Sequence, residues 1–138
     1  MAYETKKINV PYSLSEAARD AYEKIKALIL RIFTLLKKQE KEKNLKEQFY
    51  DSYVDFARKL DQEGYKNESN FYMNICAMYY DLMDRPEELM THEMFFMDFF
   101  NAFDELLFIR VKQPEKYGDE VRKFLKYYGK MQQYYYTN

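Results

Sequence analysis

The chain has 138 residues, a mass of 17.0 kDa and a formal net charge of −1. Hydrophobic residues make up 47% and charged residues 33%, too apolar for a disordered chain and too charged for a simple membrane span. Three glycines and three prolines argue against an all-β fold, which needs many turns.

The first twelve residues read as an extended arm. Within it Lys7-Ile8-Asn9-Val10-Pro11 alternates and is β-branched. Such a segment is a plain terminal tail or a strand added to a partner's sheet edge. It lacks the apolar run of a secretory signal. Ser13-Leu14-Ser15-Glu16 then matches the capping box, with Ser13 as N-cap. Ala18, Tyr22, Ile25, Leu28, Ile29, Ile32, Phe33 and Leu36 follow at helical spacing, which predicts a first helix from Leu14 to about Gln39. Lys37 to Asn44 holds no apolar residue and is a loop or a solvated extension.

Leu45, Phe49, Tyr53, Phe56, Ala57 and Leu60 resume the period. They predict a second helix from about Lys46 to Glu63, with Gly64 at the C′ position. A third helix follows Asn67-Glu68-Ser69-Asn70 and ends near Arg85, because Pro86 disfavours helical backbone at the residue before it. Pro86 opens a fourth helix, with Glu87 and Glu88 at its positive end. This stretch, about 86–111, is apolar on most sides through Phe95, Phe96, Phe99, Phe100, Phe103, Leu106, Leu107 and Ile109. That pattern marks a central buried helix or one that also meets a partner. Pro114 ends it. Val121, Phe124, Leu125 and Tyr128 predict a last helix, from Glu115 or Asp119 to Gly129 or on into the tail. The expected fold is all-α, a single compact bundle of four to five helices over residues 13–138.

The chemistry-bearing residues are sparse. There is one cysteine, Cys76, and one histidine, His92. No internal disulfide is possible, which suits a reducing compartment, and the expected location is cytoplasmic. A structural zinc site needs about four Cys or His ligands, so no cofactor is expected. Met94 to Val111 is the most apolar window, but Asp98, Asp104, Glu105 and Arg110 interrupt it, which argues against a span. Glu88 and His92 share a helix face at i,i+4. They form either a surface pair or a general base lacking a nucleophile. Cys76 sits on the apolar stripe of the third helix and reads as a small hydrophobe. No phosphate loop or G-x-S-x-G occurs. A non-catalytic protein is expected.

Charge is sorted along the chain. Residues 1–50 carry 11 basic and 7 acidic side chains, residues 51–109 carry 4 and 13, and residues 110–138 carry 7 and 3. The acidic middle is either neutralised by basic neighbours or forms an exposed patch. The first expectation for function is a protein–protein interaction module: an adaptor, a small subunit, or an inhibitor of the phage or mobile-element type. Its partner would be another protein, possibly one that handles nucleic acid. The candidate contacts are Asp81, Asp84, Glu87, Glu88, Glu93, Tyr79 and Tyr80. The alternative is a nucleic-acid-binding subunit that uses Lys37, Lys38, Lys41, Lys43, Lys123, Lys126, Lys130, Tyr127, Tyr134 and Tyr135, since lysines with stacking rings suit single strands. A third reading is a structural homo-oligomer such as a coat or scaffold protein. No membrane partner is expected.

Overall fold

The structure, a computed structural model, describes residues 14–137. The arm and Ser13 lie outside the described residues. Those described are all-α. The helices are α1 Glu16–Lys37, α2 Leu45–Gln62, α3 Lys66–Leu82, α4 Pro86–Thr91, α5 Glu93–Lys112 and α6 Tyr117–Thr137, with a 3₁₀ turn at Pro114–Lys116. No described helix is long and apolar enough to cross a membrane.

The start of α1 differs from the expected capping box. Ser15 is the N-cap, and its hydroxyl accepts from the Ala18 amide at 3.1 Å. The position three residues after this cap is Ala18, which has no carboxylate to return the bond. Glu63 supplies one from the end of α2. It accepts from the Ser15 amide at 2.7 Å and from the Ser15 hydroxyl at 2.6 Å.

The end of α2 is the expected one. Gly64 has φ +91°. Its amide bonds the Asp61 carbonyl at 3.1 Å, and the Tyr65 amide bonds the Leu60 carbonyl at 2.8 Å. This is the paired closure that a left-handed C′ residue allows. The end of α1 closes the same way, with Gln39 at φ +56° in the glycine's place. Residues 38–44 are therefore a loop, and Asn44 at φ +61° leads into α2.

The stretch 86–111, expected as one helix, is two. His92 has φ −99° and ψ 7°, and its amide turns to the Leu89 carbonyl at 3.1 Å. The Glu88 carbonyl, which a continuous helix would give to that amide, instead meets His92 Nδ1 at 2.8 Å and the Thr91 hydroxyl at 2.7 Å. Side chains competing for a backbone acceptor break the ladder. The described residues form six helices for that reason.

The described chain divides into two compact units, residues 14–94 and residues 95–137. In the first, α2 packs on α1 and α3, and α4 packs on α1 and α3. Its core is aromatic. Tyr22 stacks on Phe56 at 4.7 Å, Phe56 meets Tyr72 edge-on at 5.0 Å, and Tyr79 sits between Phe49 at 4.8 Å and Phe33 at 5.4 Å. Each such pair adds about 0.5–1.5 kcal/mol beyond the area it buries. In the second unit Phe124 of α6 packs on Phe99 and Phe103 of α5, at 4.9 and 6.4 Å. The buried residues of α5 cover a wide arc, from Phe96, Phe99, Phe100 and Phe103 round to Asp104 and Ile109. The even apolar distribution in its sequence reflects that burial.

Candidate interaction surface

The helices α2 and α3 run antiparallel. Lys46 at the start of α2 bonds Asp84 beyond the end of α3 at 2.7 Å, and Ser69 at the start of α3 donates to the Ala57 carbonyl at 2.7 Å. On the outward side of this pair lies Tyr50, 46% exposed. Its ring meets Tyr53 at 5.4 Å and Tyr80 at 5.6 Å. Lys46 Nζ stands 4.1 Å from the Tyr80 ring centroid. On α3, Met73, Ala77 and Tyr80 are spaced four and three residues apart, so they share one side of the helix. Met73 and Ala77 are exposed, and Tyr80 and Val54 are half-buried. The result is a strip of aromatic and aliphatic side chains that the bundle core does not absorb.

The acidic candidates are distributed around this surface and are largely paired. Asp84 is held by Lys46 at 2.7 Å, and Glu93 by Lys37 at 2.9 Å. Arg85 spans Asp81 at 3.3 Å and Glu88 at 2.9 Å. Glu87 is exposed. Four of these five candidate acids are each met by a cation, with Asp81 and Glu88 sharing Arg85. Tyr79 is not a surface contact. It is fully buried, and its hydroxyl donates to the Ile29 carbonyl at 3.4 Å. It falls on the stripe shared with Tyr72, Ile75 and Leu82, where the helical period places core residues.

The basic candidates divide between the two units. Lys38, Lys41 and Lys43 are exposed in the 38–44 loop, while Lys37 is engaged by Glu93. Lys41 lines a cleft of about 510 Å³ that has Ile32, Leu36 and Leu89 on its apolar side and Asp84 on its rim. On α6, Lys123 pairs with Glu120 at 3.3 Å, and Lys126 and Lys130 are exposed. Tyr127, Tyr134 and Tyr135 belong to α6, but their side chains lie outside what the structure describes.

The residues with reactive potential face inward. Cys76 is fully buried, and burial pushes its thiol up. Burial likewise raises Tyr72 and Tyr79, and pushes Tyr53 up to about 12. Lys26 is lowered by burial, partly offset by Glu23. The Glu88 carboxylate goes to Arg85, and the His92 Nδ1 meets the Glu88 backbone carbonyl. Among the described residues no group of three or more His, Cys, Asp or Glu side chains is placed to hold a metal ion.

No protein-family model, curated protein or solved structure matches the chain. Sequence reading missed Tyr50, Met73 and Lys46 as surface residues. The signal for Tyr50 was available, since it lies one residue off the Phe49, Tyr53, Phe56 and Leu60 stripe.

Proposed function

We propose that the protein is a non-catalytic interaction module that binds another protein through the outward side of α2 and α3. One observation supports this reading: the strip of Tyr50, Val54, Met73, Ala77 and Tyr80 lies on the surface beside the Lys46–Asp84 pair. Exposed tyrosine and methionine next to charged rim residues have the composition of an interface centre. Tyrosine offers a large contact area at low entropy cost, and methionine adapts to irregular partners.

The test is a tagged pull-down from source-cell lysate after nuclease treatment, read by mass spectrometry. It compares the parent chain with a Tyr50→Ser, Met73→Ser double variant. Both positions are exposed, so the fold should survive, and circular dichroism checks that it does. A partner held by the parent and lost by the variant supports the reading. A partner held equally by both, or no protein held by the parent, overturns it.

A further inference from the structure

The second unit carries a different surface. Arg122, Lys126 and Lys130 are spaced four residues apart on α6 and are all exposed. At 1.5 Å per residue they rise about 6 Å per step along one side of the helix. Lys123 stands beside them and is also exposed. The acids of α6 are confined to its first turn, where Asp119 engages Arg122 and Glu120 engages Lys123. After Glu120 no acidic residue occurs to the end of the chain. No ion pair among the described residues engages Lys126 or Lys130. An open depression of about 910 Å³ runs from Lys116 to Lys126, with Asp119 and Glu120 in its lining beside the cations.

We infer that this cationic side of α6 binds the phosphate backbone of a single-stranded nucleic acid. A row of three cations at even spacing, two of them without an acidic partner among the described residues, complements a chain of evenly spaced phosphates. The same stretch of sequence holds five tyrosines, Tyr127, Tyr128, Tyr134, Tyr135 and Tyr136, the residue type on which unpaired bases stack. A membrane surface is the weaker occupant, because a helix lying on lipid needs a bare apolar face. Phe124 is instead buried against Phe99 and Phe103, which leaves Leu125 as the exposed large hydrophobic among the described side chains of this helix, too little for such a face.

The experiment titrates the full chain into a fluorescein-labelled oligothymidylate and an oligouridylate, read by anisotropy. Three phosphate contacts on a single strand give a log–log salt slope of about −2, so Kd rises roughly 20-fold between about 50 and 200 mM salt. Lys126→Gln with Lys130→Gln weakens binding and brings the slope toward about −0.7, with an unchanged circular dichroism spectrum. Four outcomes overturn the inference. They are no binding at low salt, binding indifferent to salt, equal binding by the double variant, and equal binding of poly-L-glutamate or phosphatidylserine vesicles. The surface interface of the first unit stands or falls separately, because the pull-down above is nuclease-treated and its variant leaves α6 intact.

Discussion

Glu63 completes the cap of a helix whose N-cap, Ser15, stands 48 residues before it: both of its carboxylate oxygens accept from Ser15, one from the amide and one from the hydroxyl. In a local capping box the returning carboxylate lies three residues after the cap. Here that position is Ala18, and the end of α2 takes over the task. A local device has become a tertiary one, tying the first turn of α1 to the last of α2.

The tie has a measurable strength. Ser15→Ala removes the hydroxyl's bonds with the Ala18 amide and with Glu63, leaves the Ser15 amide on Glu63, and should cost about 1–2 kcal/mol. Glu63→Ala removes only the tie. The group is near the surface, so water replaces part of what is lost and the cost should be about 1 kcal/mol. The double variant should cost less than the sum of the two, because both single variants lose the hydroxyl bond, while the bond from the Ser15 amide is lost only with Glu63. Urea unfolding of the four proteins measures this cycle. Simple additivity would show that Glu63 does not act through Ser15.

Two helix ends built alike should both favour glycine, so removing it from one and adding it to the other should have opposite effects. Gly64 has φ +91° and open space where a Cβ would stand, so Gly64→Ala meets no clash and carries only the backbone cost. That cost is about 1–2 kcal/mol. Gln39 occupies the matching position of α1 at φ +56°. Gln39→Gly relieves that strain and should stabilise by about 0.5–1 kcal/mol, less the entropy glycine gains in the unfolded chain. Thermal melts of both variants check the signs. A loss in Gln39→Gly would mean its side chain contributes more than its backbone costs.

The helices were legible because their apolar residues repeat at helical spacing: the stripe from Ala18 to Phe33 is the buried side of α1. Gly64 was legible because a left-handed C′ residue is nearly always glycine. The break at His92 was not, since it depends on two side chains competing for one carbonyl, and nothing in the apolar period registers that. The cap at Ser15 was misread by two residues, because its carboxylate comes from Glu63, far along the chain. Of the candidate contacts, Tyr79 was placed on the surface by its neighbourhood in sequence, among acids, although its register with Tyr72, Ile75 and Leu82 put it inside. The pairing of Asp84 with Lys46 and of Glu93 with Lys37 joins residues 38 and 56 positions apart, which no local pattern reveals.

Lys46 is expected to matter more for the surface than for stability. Its ion pair with Asp84 is exposed, with side chains 31% and 65% accessible, and exposed pairs contribute about 0.2–1 kcal/mol. Its position over Tyr80 adds about 0.5–1 kcal/mol at such a site. Lys46→Met should therefore lower the unfolding free energy by no more than about 2 kcal/mol. It also leaves Asp84 without its cation and bares the Tyr80 face. A larger loss in urea titration would show that Lys46 fixes the α2–α3 pairing rather than trimming its edge.

Alkali should unfold the first unit through its buried phenols. Burial raises Tyr72 and Tyr79 well above the ordinary tyrosine value and Tyr53 to about 12. The folded chain holds these protons where the unfolded chain, titrating near pH 10, has released them. Their contribution to stability is therefore flat below about pH 10 and falls as pH rises from about 10 through 12. Urea midpoints should be constant up to about pH 9 and drop steadily beyond it, with tyrosinate absorbance appearing in step with unfolding. Tyr72→Phe removes one of the three groups and should make the decline shallower. Cys76 offers an independent readout of the same core. Its thiol is buried and raised, so a thiol reagent should label it only through opening, at a rate that climbs with urea. Rapid labelling of the native chain, or a midpoint unmoved at high pH, would mean that the Tyr72–Cys76 region is open to solvent.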